Sequence, residues 1–189
     1  MVVYNIILAS NSPRRKELLA GLGMPFEVRV LRDIDESYPV DLPVSEVALH
    51  IAGKKADAYR AIVRDDELII TADTVVIVDD EILGKPVDEA DAVRMLRLLS
   101  GRTHQVTTGV CLLTATQERR FAVTTDVTFK ALSDEEIHYY VTTYKPFDKA
   151  GAYGIQEWIG YIGVTCLHGS YYNVMGLPVQ RIYEAIRTF

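Results

Sequence analysis

Two cysteines, one tryptophan and no apolar run near the roughly 20 residues that cross a bilayer set the first limits on this chain. Cys111 and Cys166 stand far apart in apolar settings, without CxxC or metal-ligand spacing, so reduced, packed thiols are expected and no disulfide framework. The sequence has no GxxxxGK(S/T) phosphate loop, no GxGxxG fingerprint, no HExxH and no GxSxG elbow. His50, His104, His138 and His168 are scattered without ligand spacing and read as surface or core side chains. Positive charge is also short: 20 Lys and Arg against 26 Asp and Glu leave a formal charge of −6. That balance argues against a nucleic-acid polymer as partner, because nonspecific binding relies on a net basic field. The segment from Met1 to Ala9 carries no basic leader and reads as a first strand, so the expected compartment is the cytosol, with no membrane partner.

What is present is an ordinary globular composition, 49% hydrophobic and 24% charged. A chain of 189 residues can bury roughly 70% of its unfolded surface and needs no staple. The order of elements is mixed α/β. Ile6 to Ala9 is an apolar strand, and Ser12-Pro13 caps a helix that Gly21 or Gly23 can end. Phe26 to Val30 is a short strand and residues 33–42 a polar loop. A helix resumes at Ser45, with Ala48, Ile51, Ala52, Lys55, Tyr59 and Ile62 at helical spacing. Leu68 to Val78 is a strongly apolar strand, followed by a turn at Asp79, a short return and a helix from about Asp88 to Leu99. Thr103–Thr114 and Arg119–Ala131 suit an antiparallel pair, with Phe121, Val123, Thr125, Val127 and Phe129 on one face. Ser133 to Glu136 is a capping box, a Gly- and Tyr-rich stretch runs from Tyr144 to Pro178, and a helix closes the chain. No repeat or linker separates independent domains, so residues 1–189 read as a single domain.

Three places carry chemistry. Arg14 and Arg15 fall in the first turn of a helix, where exposed N–H groups, the helix dipole and two guanidinium forks favour phosphate oxygens. Asp73 interrupts an apolar strand, and a carboxylate there must find partners: a neighbouring lysine or main chain, or the work of a general base or metal ligand. Thr74 beside it points to the opposite face unless the strand ends there. Lys55 at the apolar edge of its helix, Lys85 between Gly84 and Pro86, and Lys149 among small residues each read as a solvated lysine or a positioned cation. Gln156 offers the donor and acceptor that the O4 and N3–H edge of uracil or thymine requires.

These signals occur in order within a larger pattern. Leu8-Ala-Ser-Asn-Ser-Pro-Arg-Arg, Glu36 in Asp-Ile-Asp-Glu, Lys55-Ala, Ala72-Asp-Thr, Gly84-Lys-Pro, Leu99-Ser-Gly, Asp148 to Gln156 and Gly169 to Pro178 together make the chain resemble the Maf (septum formation) nucleoside triphosphate pyrophosphatases. The resemblance implies a Maf/Ham1-like, ITPase-like fold: an elongated mixed sheet with flanking helices, two lobes and a central cleft. It implies hydrolysis of a nucleoside triphosphate to monophosphate and pyrophosphate with Mg²⁺ or Mn²⁺, and a possible homodimer. Asp73 would activate water; Glu36 with Asp73 would position the metal; Arg14, Arg15, Lys55 and Lys85 would hold the triphosphate. The Ala152-Tyr-Gly-Ile-Gln156 form resembles the subgroup acting on dTTP and UTP, in which Arg14, Thr74 and Gln156 match positions tied to substrate choice. Lys145 and Glu157-Trp158 depart from the usual family residues. A nucleotide-binding regulator of cell division without turnover, and a pyrophosphatase for altered purine nucleotides, are the alternatives.

Overall fold

The computed structural model describes residues 4–189, so the part of the expected first strand at residues 1–3 lies outside the described residues. The order is β1 (Asn5–Leu8), α1 (Pro13–Ala20), β2 (Phe26–Val28), α2 (Val44–Asp57), β3 (Glu67–Val78), β4 (Glu81–Leu83) and α3 (Glu89–Leu99). Then come β5 (Thr103–Leu113), β6 (Glu118–Phe129), α4 (Asp134–Tyr144), a 3-10 turn (Ala150–Ala152), α5 (Trp158–Gly163), β7 (Val164–His168), α6 (Tyr171–Val174) and α7 (Val179–Arg187). The fold is mixed α/β, with a seven-stranded sheet in the order β2-β1-β3-β5-β6-β7 and β4 paired with β3. Among the described residues no helix is long and apolar enough to cross a membrane.

Contacts divide the chain into two compact units. The first takes the described residues up to Asp73 with Thr108–Val123 and Gly176–Phe189; the second takes Thr74–Thr107 and Thr124–Met175. Three strands, β3, β5 and β6, each contribute to both.

In the first unit, β1 runs parallel to β2 and to β3, with Ile7 opposite Ile69. Its core gathers Ile7, Ala56, Tyr59, Ile69, Cys111 and Leu113. The Tyr59 hydroxyl donates to Arg29 O at 2.7 Å and accepts from Leu31 N–H at 3.0 Å, which pins the chain leaving β2. Glu67 at the start of β3 is buried, and two guanidinium groups, Arg29 at 2.7 Å and Arg64 at 2.6 Å, hold its carboxyl down at a pKa of about 2. α2 ends at Asp57, so the expected run to Ile62 is too long. Ile62 is exposed, because the turns after Asp57 carry it off the buried stripe that Ala48, Ile51 and Ala52 form. Gly109 of β5 lies against α2: a Cβ there would overlap the main chain of Ala48 and Leu49.

In the second unit, hydroxyl pairs Thr103–Thr128 at 2.8 Å and Thr107–Thr124 at 2.9 Å run in opposite sequence order, which makes β5 and β6 antiparallel. Thr125, Val127 and Phe129 are buried, as the alternation predicts. Ser133 Oγ accepts from Glu136 N–H, and the Glu136 carboxylate accepts from Ser133 N–H, completing the capping box of α4. The stretch from Tyr144 to Pro178 contains short elements that the sequence did not resolve. Its β7 is an edge strand paired with β6, and Cys166 on it is exposed rather than packed, since an edge strand offers one flank to solvent.

His104 is a core histidine, 2% exposed, with Nε2 at 2.7 Å from the Tyr153 hydroxyl and its ring edge-on to Phe129 and Tyr153. Burial lowers its pKa from 6.5 to about 4. The unfolded chain therefore takes up this proton as pH falls through 6.5, while the folded chain resists until about 4. The ring's contribution is full above pH 6.5 and declines below it, by about 3 kcal/mol in all by pH 4. Denaturant titrations of the wild type and His104→Gln at pH 7 and pH 4.5 are expected to show the smaller loss in the variant. Equal losses would contradict this.

Candidate functional site

The turn from β1 into α1 is built by side-chain caps. Ser10 Oγ accepts from Ser12 N–H at 3.2 Å, Ser12 Oγ accepts from Arg15 N–H at 3.4 Å, and Pro13 opens the helix. Arg14 and Arg15 thus stand in its first turn, as the sequence predicts. Arg15 reaches inward. Its Nε donates to Gly176 O at 2.8 Å and its Nη1 to Ala72 O at 2.8 Å, so one guanidinium ties α1 to β3 and to the start of the segment that carries α7. Burial lowers its pKa, Asp73 opposes that shift, Arg14 adds to it and Glu36 opposes it.

Lys55 comes from the last turn of α2, whose face of Val47, Ala48, Ile51, Ala52 and Ala56 is buried. The lysine stem lies at the edge of that face with 15% of the side chain exposed, and its ammonium is 2.8 Å from Asp73 Oδ1 and 3.2 Å from Glu36 Oε1. Asp73 therefore finds the partner its apolar strand demands. Thr71 Oγ1 donates to Ala52 O at 2.7 Å, tying β3 to the same helix two residues from Asp73. Glu36 lies on a loop whose neighbour is anchored as well: Lys54 Nζ is 2.6 Å from Asp35 Oδ2 and 3.0 Å from Ser37 O. The Lys54 ammonium and Ser37 hold the Asp35 carboxyl far below the usual carboxylate range. The first unit thus brings Glu36, Lys55 and Asp73 into direct contact, with the Arg15 guanidinium bound to the peptide oxygen next to Asp73.

The other candidates belong to the second unit. Thr74 follows Asp73 on β3 and is half-buried. Lys85 is exposed in the loop after β4, beside Gly84, whose carbonyl accepts from Gly151 N–H at 3.0 Å. Lys149 is 7% exposed and paired, at 2.7 Å from Asp148 and 3.0 Å from Glu157. Gln156 is half-buried, and its Oε1 is enclosed without a hydrogen-bond partner among the described residues. Trp158 packs edge-on against Tyr139 at 4.8 Å between ring centroids. Sequence reasoning missed the group behind Gln156. The Tyr140 hydroxyl donates to Glu157 Oε2 and accepts from Gly154 N–H at 3.0 Å, and the only sequence signal was an acid following Gln156.

Among the described residues no three or more His, Cys, Asp or Glu side chains cluster as a metal cage. The acidic donors that converge are Glu36 and Asp73, both hard oxygen ligands.

The family model described as "Maf-like protein" matches residues 5–189. A Phocaeicola vulgatus protein named "dTTP/UTP pyrophosphatase" is 61% identical over 184 residues, covering 97% of this chain and 95% of its own. A Bacteroides thetaiotaomicron protein of the same name is 58% identical with the same coverage. Among solved structures, a HAM1 protein from Coxiella burnetii is 13% identical over 98% of this chain and all of its own, with a TM-score of 0.46. With a family model spanning nearly the whole chain and relatives well above half identical, the chain belongs to the Maf family.

Proposed function

We propose that this protein hydrolyses dTTP and UTP to the nucleoside monophosphate and pyrophosphate. The observation that carries the reading is the Lys55 ammonium shared by Asp73 and Glu36 beside Arg15, a cation-rich group holding two acids. The names of the relatives supply the substrate. In this reading Asp73 takes a proton from water as the water oxygen bonds to the α-phosphorus. The bond from that phosphorus to the α–β bridging oxygen breaks, and pyrophosphate leaves. Arg14, Arg15 and Lys55 offset the charge that gathers on the leaving group. Lys85 adds a further cation for the phosphates, Thr74 contributes to substrate choice, and Gln156 reads the base.

Among the described residues the acids that meet at Lys55 are Glu36 and Asp73, hard oxygen donors of the kind that Mg²⁺ accepts. Glu36 and Asp73 would hold it. When bound, such an ion neutralises phosphate charge. This activity belongs in the cytosol, where nucleotide pools lie, and a homodimer is part of the same reading.

Incubating the protein with Mg²⁺ and UTP, dTTP, CTP or ATP in ¹⁸O-labelled water tests it. The expected products are pyrophosphate and a monophosphate carrying the label, with UTP and dTTP turned over at least about tenfold faster than the others. Release of orthophosphate, label in pyrophosphate, or binding without product would overturn it.

A further inference from the structure

Lys54 and Lys55 are neighbours in the last turn of α2, and together they grip the turn Asp35-Glu36-Ser37. Lys55 Nζ takes the middle residue, at 3.2 Å from Glu36 Oε1. Lys54 Nζ takes the residues on either side: it donates to Asp35 Oδ2 at 2.6 Å, to Ser37 O at 3.0 Å and to Ser37 Oγ at 3.2 Å. All three donors of one ammonium are therefore engaged on this turn. Asp35 closes it from within, Oδ1 accepting from Ser37 N–H at 2.9 Å and Oδ2 from the Ser37 hydroxyl at 2.8 Å.

The segment has little else to hold it. Among the described residues no helix or strand lies between β2 and α2, and the main chain of residues 33–38 makes no hydrogen bond to other main chain. Ile34 packs against the core of the first unit, which fixes the chain before the acid but leaves the turn itself open. Glu36 is 55% exposed, and a single ion pair with Lys55 at that exposure contributes little. A glutamate on a free loop must be ordered each time it takes up a ligand; one whose neighbours are already fixed on both sides binds without that cost. The same helix carries Lys55 against Asp73 at 2.8 Å, so the clasp sets Glu36 and Asp73 on one frame.

We propose that Lys54 is a positioning residue: by clasping Asp35 and Ser37 it holds Glu36 where, with Asp73, it receives the divalent ion. This rests on the reading of Glu36 and Asp73 as the metal ligands. Charge and position make opposite predictions at Lys54. Loss of a nearby cation, taken alone, strengthens the binding of another cation, whereas loss of the clasp weakens it. Mn²⁺ binding to the protein without nucleotide, followed by the electron paramagnetic resonance of the free ion, is the test. Lys54→Met is expected to raise the Mn²⁺ dissociation constant about tenfold, the size of effect that groups orienting a metal ligand have. Glu36→Gln is expected to weaken binding as well, and adding Lys54→Met to it to weaken binding no further. With UTP, the Mg²⁺ concentration for half-maximal rate rises in Lys54→Met by a similar factor, while kcat at saturating Mg²⁺ stays within about twofold of wild type. Thermal melts establish folding, and Lys54→Gln carries the test if Lys54→Met is unfolded. A folded variant that binds Mn²⁺ as well as or better than wild type, or that loses as much in the Glu36→Gln background, overturns the positioning role and leaves the pyrophosphatase intact. A Glu36→Gln protein that binds Mn²⁺ like wild type, or a wild type that binds none, overturns the metal assignment and the inference together.

Discussion

Asp73→Asn is expected to lower pyrophosphate release from UTP by about a thousandfold or more, within the range that a positioned general base contributes. The substitution keeps the shape of the side chain and an oxygen for Lys55 Nζ, now 2.8 Å from Asp73 Oδ1, but the amide cannot accept a proton from water. Lys55 also retains Glu36 at 3.2 Å, so no buried ammonium is stranded and the midpoint of thermal unfolding is expected to move by only a few degrees. Melting and turnover measured on one preparation separate chemistry from stability. A folded variant with near wild-type turnover would remove Asp73 from the base role.

A large effect on stability is expected at Gly109. Alanine there is expected to cost about 3 kcal/mol or more, at or beyond the upper end of overpacking penalties. Most overpacked sites relax by turning a side chain. Here the added carbon overlaps the carbonyl group of Ala48 and the Cα of Leu49, which are main-chain atoms inside α2. Relief requires α2 to move away from β5, and Val47, Ala48, Ile51 and Ala52 then lose packing together. Because α2 carries Lys55, turnover is expected to fall along with the denaturation midpoint. Urea unfolding compared with wild type measures the first, and an unchanged midpoint would contradict the argument.

The sequence was most readable where its signals are local. The Ser12-Pro13 cap, the Ser133–Glu136 box and the alternation along β6 each act within a few residues, and the elements they predict are present. Asp73 was readable by a different route: a charge on an apolar strand requires a partner, and of the candidate cations nearby Lys55 fills that place. Glu67 followed the same rule at the head of the same strand but drew no attention, since it sits beside polar residues and one of its partners, Arg29, is 38 positions away. The stretch after Tyr144 was opaque for another reason. α5 has six residues and β7 five, too few for hydrophobic periodicity to separate them from loop. Glu157 lay inside that stretch, and its buried partner Tyr140 is 17 positions away. Ile62 and Cys166 were misread because spacing was extended past the end of a helix in one case, and an apolar neighbourhood in sequence was equated with a packed one in the other.

The two cysteine thiols differ in a way that suits chemistry at the bench. Cys111 is enclosed in the first unit, where burial raises its thiol to about 11 and withholds the reactive anion. Cys166 stands in the open on β7. A maleimide dye therefore attaches once per native chain, at a known strand of the second unit, giving a fluorescent reporter without any engineered residue.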